Sequence, residues 1–115
     1  MTTGMTAEIV TTTTVDPSDP VLAGHFPGFA ILPGVLLIEY AHQAALSHLA
    51  GKAAGAELTR IESARFLAPV FPGDRVVTEL SVKAVEDGWR CTARLLAGSE
   101  PAALVKLRYR RGSAQ

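Results

Sequence analysis

Cysteine is nearly missing from this sequence: Cys91 stands alone, so no internal disulfide can form and a reducing compartment suits the chain. No apolar run reaches the ~18 residues that a membrane-spanning helix needs. Net charge is missing too, since eleven basic and eleven acidic residues cancel. That removes the broad positive field expected of a nucleic-acid or anionic-membrane binder. The opening MTTGMTAE lacks the basic and apolar layout of a signal peptide, and a cytoplasmic location is expected. There is no repeat, low-complexity tract or interdomain linker. The 115 residues are expected to form one domain, 1–115, with a modest core.

What is present is concentrated in Gly24 to Gln43, GHFPGFAILPGVLLIEYAHQ. From Pro33 to about Ala50, apolar residues from Val35 to Leu49 fall on nearly every side of a helix, a pattern expected of a buried one. Pro33 suits the first helical position, and Gly51 a stop beyond the end. Such a rod runs roughly 25 Å. Glu39 interrupts its apolar surface, with Gln43 one turn on and His42 beside them. A buried Glu must find hydrogen bonds, open on a cavity, or shift its pKa upward. The alternative is that Glu39 marks the wet side of a partly exposed helix. Before the helix, His25-Phe26-Pro27-Gly28 makes a tight bend that holds His25 on a rigid loop. The helix start near Gly34 offers free backbone N–H groups at the positive end of the dipole.

The flanking segments predict strands. Ala7 to Val15 is rich in β-branched residues, and Asp16-Pro17-Ser18-Asp19-Pro20 breaks regular structure with a solvated turn. Leu58 to Phe66 alternates weakly, and Pro72-Gly73 fits the centre of a type II turn. From Arg75, Val76, Thr78, Leu80, Val82 and Ala84 face one way and Glu79, Ser81 and Lys83 the other. Glu86-Asp87-Gly88 supplies a hairpin turn containing an Asp-Gly pair. Trp89, Cys91, Ala93 and Leu95 then alternate with Arg90, Thr92 and Arg94. After a Gly98 to Pro101 turn, Ala103, Val105, Leu107 and Tyr109 alternate with Lys106, Arg108 and Arg110. One helix and about five strands with one apolar face predict an α+β layer, a curved antiparallel sheet wrapped around one long central apolar helix.

The segment GHFPGFAILPGVLLIEYAHQ resembles the active-site segment of the (3R)-hydroxyacyl-acyl carrier protein dehydratases, the FabZ-like family of fatty-acid and polyketide synthesis. Its pattern is HFPG, then PGV, then a Glu and a Gln on the helix. His25 and Glu39 are 39 − 25 = 14 residues apart, the family's own spacing, and ARFLAPVFPGD, Ala64 to Asp74, is similar to a second family motif. The likeness runs from about Glu8 to Arg110 and places the start of the chain after the family's leading helix and first strand. Ala30, Tyr40 and His42 stand where the family commonly has Pro and small or apolar residues. His42 either lines the pocket or satisfies a buried polar contact.

The resemblance implies the hot-dog fold and dehydration of a 3-hydroxyacyl thioester to the trans-2-enoyl thioester. It implies no metal and no cofactor beyond the phosphopantetheine that carries the substrate on an acidic acyl carrier protein. His25 would be the base, Glu39 the acid, the Gly34 N–H the holder of the thioester oxygen, and Gln43 the support for Glu39. Phe29, Ile31, Leu32, Phe66 and Phe71 are candidates for an acyl tunnel, with ordinary core packing as their other role. Arg65, Arg90 and Arg94, with Lys106 and Arg108 also available, are candidates for a carrier-protein rim, with plain solvation of a strand as theirs. A homodimer, or a heterodimer with a related hot-dog subunit, is expected to share the active site, and a higher oligomer is open. Two alternatives are an acyl thioesterase of the same fold and a partner subunit of a heterodimeric dehydratase.

Overall fold

The computed structural model describes residues 9–15, 34–49 and 55–112. Its order is β1 (Ile9–Thr14), α1 (Gly34–Leu49), β2 (Glu57–Phe66), β3 (Arg75–Val85), β4 (Gly88–Ala97) and β5 (Glu100–Arg110). The strands form one antiparallel sheet in the order β1-β3-β4-β5-β2. The period-two pattern has its expected effect: Val76, Leu80, Cys91, Ala93, Leu95, Val105, Leu107 and Tyr109 are all fully buried on the inner face. Each large apolar side chain so buried contributes roughly 1.5–3 kcal/mol.

Against that face lies α1, which packs on β1, β3, β4 and β5. Its contact surface is Leu37, Ala41, Ala44, Ala45 and Leu49. Three alanines in the middle let the helix axis approach the sheet, and a leucine fills the wedge at each end. The expectation of a helix buried all round is corrected here. Val35 is 67% exposed, and Glu39, Gln43 and Ser47 are exposed as well. These four recur every fourth position, so they line one stripe. The five-stranded sheet covers only the opposite side, and among the described residues nothing covers the stripe.

The turns follow local chemistry. Gly73 has φ 89° and the Asp74 N–H bonds the Phe71 carbonyl at 3.0 Å, as the Pro72-Gly73 pair leads one to expect. The β3–β4 hairpin differs from the expected Asp-Gly turn. Val85 pairs with Gly88, so the loop is Glu86-Asp87, and no non-glycine residue described has positive φ. Gly88 is the first residue of β4, where any Cβ would run into the Tyr109 carbonyl and the Arg110 Cα. Its role is close strand approach. Strand β5 begins at Glu100 rather than after the turn. Pro101 is tolerated inside it because the register shifts at Leu95/Leu96, opposite.

Candidate active site

The site is built on the open stripe of α1. Gln43 lies one turn beyond Glu39, and its Nε2 donates to Glu39 Oε2 at 2.6 Å. This fixes the carboxyl group along the stripe. The Glu39 side chain is exposed among the described residues. Any apolar cover must come from outside the described residues.

At the start of the helix, Gly34 is half-buried beneath the ring of Phe66 from β2. A Cβ added to Gly34 would meet Phe66 Cζ at 2.8 Å. The ring is nonetheless 51% exposed, so it is a flap over the first helical amides and not part of the core. Phe71, the other described tunnel candidate, is 45% exposed in the turn that Asp74 closes, with its backbone N–H donating to Asp74 Oδ2 at 2.9 Å. The structure therefore brings Gly34 and Phe66 together and leaves Phe71 apart on the Pro72-Gly73 turn. His25, Phe29, Ile31 and Leu32 lie outside the described residues.

Behind the stripe, His42 Nδ1 and the Tyr109 hydroxyl are 2.7 Å apart, with the rings nearly parallel at 9° and 5.8 Å between centroids. Of the two roles open to His42, the buried polar contact is the one observed. Its partner was not evident from the sequence. The available signal was a tyrosine on the apolar side of β5 facing a histidine on an otherwise apolar helix. Burial pushes the Tyr109 hydroxyl well above its ordinary value, and the nearby Cys91 and Glu39 add to the rise.

The three rim candidates share the outward face of the sheet, opposite α1. Arg90 Nε donates to Glu62 Oε1 at 2.8 Å, and Arg94 lies 3.7 Å from Glu79. Arg65 is exposed and makes no ion pair among the described residues. It is adjacent to Phe66 and so closest in sequence to the Gly34 corner. The described residues contain no group of three or more His, Cys, Asp or Glu placed to hold a metal ion, and no helix among them is long and apolar enough to cross a membrane.

A family model described as ApeI-like, ApeI dehydratase, matches residues 2–99. The chain belongs to the ApeI-like dehydratases. Within this family setting it is 37% identical over 98 residues to the 3-hydroxyacyl-[acyl-carrier-protein] dehydratase FabZ of Thermus thermophilus, covering 80% of this chain and 69% of that one. It is 38% identical over 104 residues to the FabZ of Thermotoga petrophila, covering 78% and 76%. Among solved structures, this dehydratase is similar to the dehydratase heterocomplex ApeI:P from Xenorhabdus doucetiae, at TM-score 0.68 and 23% identity over 89% of this chain and 86% of that one. It is also similar to the fluoroacetyl-CoA thioesterase FlK, at TM-score 0.77 and 17% identity over 94% and 88%. These likenesses show the hot-dog fold, a five-stranded antiparallel sheet with one helix. At such identity the thioesterase speaks for the fold alone.

Proposed function

We propose that this dehydratase removes water from a 3-hydroxyacyl thioester carried on an acyl carrier protein, giving the trans-2-enoyl thioester, with His25 and Glu39 as its reacting groups. The observation that carries this reading is the carboxyl of Glu39, held by Gln43 on an uncovered stripe of the helix that Gly34 opens. The family relationship and the HFPG–PGV–Glu–Gln pattern support it.

Elimination needs a base for the C2 proton, a donor for the thioester oxygen, and an acid for the leaving hydroxyl. His25 takes the C2 proton, since imidazole accepts a proton at neutral pH. The C2–H electron pair forms the new double bond while charge builds on the thioester oxygen. The Gly34 N–H, unobstructed by a side chain of its own and at the positive end of the helix, holds that charge. The C3–O bond breaks, and Glu39 delivers the proton that lets hydroxide leave as water. Gln43 orients Glu39. Phe29, Ile31, Leu32 and Phe66 line the acyl slot in this reading. No metal or bound cofactor takes part beyond the phosphopantetheine arm of the carrier.

The described residues leave the slot half-built. Ile61 is 47% and Leu58 37% exposed on the inner face of β2, beside Phe66, and β2 is an edge strand. We infer that a second hot-dog subunit covers the stripe and brings its own groups to the slot, so that His25 of one subunit meets Glu39 of the other. The relative described as a heterocomplex makes an unlike partner as reasonable as a second copy. A cytoplasmic enzyme fits the carrier-borne substrate.

Purified protein, with and without a related hot-dog subunit, should convert a 3-hydroxyacyl carrier thioester to a species lighter by one water that keeps its thioester. Thioesterase action would instead release free acid. His25→Ala should abolish enoyl formation; full activity in that variant ends the proposal. Glu39→Gln at full rate removes only the acid assignment.

A further inference from the structure

Register sets two contacts at opposite ends of one apolar trough. On the inner face, Phe66 of β2 pairs with Ala103 of β5, Ile61 with Leu107, and Leu58 with Tyr109, so these side chains share that face. The main packing of α1 stops short of the edge strand β2, which leaves Leu58, Ile61 and Phe66 exposed beside the helix. Helix and strand meet where the Phe66 ring covers Gly34. Further along α1, by 42 − 34 = 8 residues, His42 Nδ1 and the Tyr109 hydroxyl are 2.7 Å apart with their rings nearly parallel. That contact bridges α1 and β5 at the Leu58 end of the trough. Its two partners differ in burial: Tyr109 is fixed in the core with no exposure, whereas His42 is half-buried. An imidazole on a helix flank would otherwise change rotamer freely. Tied to a buried hydroxyl it stays across the trough, because swinging aside would take a hydrogen-bond partner from that hydroxyl.

We propose that the Tyr109–His42 pair ends the acyl slot and sets the longest acyl chain this dehydratase accepts, with His42 as the wall and Tyr109 as the positioning residue that holds it. The inference rests on the dehydratase reading above, which puts the thioester oxygen at the Gly34 amide. From that amide to His42 the helix rises roughly 12 Å, the length of an extended acyl chain of about ten carbons. Leu58, Ile61 and Phe66 flank such a chain along β2, and a longer one runs into the imidazole. The pair thus has two roles: it braces the helix against the sheet, and it closes the space between them.

A series of 3-hydroxyacyl thioesters of roughly six to fourteen carbons, each loaded on a purified bacterial acyl carrier protein, reads the limit directly. For the wild-type enzyme, with a related hot-dog subunit where turnover requires one, kcat/KM should fall at least about tenfold between ~10 and ~14 carbons. In His42→Ala the ratio of long-chain to short-chain kcat/KM should rise roughly tenfold. Tyr109→Phe should raise the same ratio by about threefold, although it removes no atom from the wall, because the freed imidazole swings aside. The ratio is the deciding readout, since a variant that is merely less stable loses turnover at every chain length alike. Wild-type ratios in both variants overturn the proposal and leave the pair as a brace alone. A wild-type enzyme that takes the longest chain as readily as the middle ones overturns it equally. Absence of dehydration at every length in the wild-type protein defeats instead the reading beneath it.

Discussion

The ring of Phe66 lies on Gly34, so close that one added methyl would sit 2.8 Å from its Cζ. Gly34 is helical and has no positive φ, so glycine is required there for space and not for backbone freedom. Because the ring is half exposed, it can swing aside, and Gly34→Ala should shift unfolding free energy by less than about 1 kcal/mol. The methyl would still crowd the first helical amides, and kcat/KM should fall at least about tenfold. Gly34→Ala/Phe66→Ala separates the two effects. If it regains wild-type kcat/KM, ring displacement was the whole cause and the amide assignment fails.

Tyr109 carries the buried hydroxyl that meets His42 at 2.7 Å. Removing it with Tyr109→Phe leaves the His42 nitrogen without its partner, a loss of about 1–2 kcal/mol in urea unfolding. A cycle with His42→Ala should return a coupling of about 1 kcal/mol; additivity of the two changes would show that the bond contributes nothing. The hydroxyl also predicts a pH dependence. Its native pKa lies above the ordinary value, so above pH ~10 the unfolded chain loses a proton that the native chain keeps. Stability from this group is complete below that pH and declines as pH rises beyond it. Wild type should lose stability between pH 10 and 11, as approximate bounds, faster than Tyr109→Phe does. Parallel curves would rule this out.

How much of this could be read from the residues divides along one line. Strands β3, β4 and β5 were legible because a strict period of two leaves one register, and burial follows it from Val76 to Leu80, Trp89 to Leu95 and Ala103 to Tyr109, whereas Ala84, expected on the inner face, is exposed. Strand β2 alternated weakly for a physical reason: its register shifts at Leu58/Arg60 and Ile61/Ser63, so the inward set is Leu58, Ile61, Ala64 and Phe66 instead of every second residue. The pairing of Glu39 with Gln43 followed from helix spacing. What stayed hidden was whatever depends on tertiary approach. The apolar residues of α1 do not reveal that only one side meets the sheet. The Asp-Gly pair resembled a turn, whereas Gly88 serves the approach of β5. Nothing local joins His42 to Tyr109, which are far apart in the chain.

Glu62 stands between two arginines that face each other across β4 and β5, 2.8 Å from Arg90 and 3.6 Å from Arg108. The hydrogen bond from Arg90 is the main cause that holds its pKa below the ordinary carboxylate value, and it raises that of Arg90 in turn. A lowered carboxylate contributes stability above its unfolded pKa, and that contribution is lost as pH falls through the native one. Glu62→Gln leaves Arg90 without its ion pair and Arg108 with Asp87 alone. Its melting temperature should drop at neutral pH, more at ~20 mM salt than at ~500 mM, and the gap from wild type should close in acid. A variant that melts as wild type at low salt would show that solvent alone screens the two arginines.

Gln43 tests whether Glu39 needs holding. Its amide is exposed and bonds only the Glu39 carboxyl among the described polar contacts, so Gln43→Met should change stability by no more than about 0.5 kcal/mol. The carboxyl would then sample other rotamers, and its proton would meet the leaving oxygen less often. A lower kcat by roughly tenfold, with KM nearly constant, is the expected signature of an interaction needed in the transition state and not for substrate binding. The conservative Gln43→Asn, whose amide is one methylene too short, should sit near Met, because reach and not polarity is what the 2.6 Å bond requires. If Asn instead restores wild-type kcat while Met does not, a polar neighbour suffices and the orienting role is withdrawn; if both retain it, Glu39 works unaided.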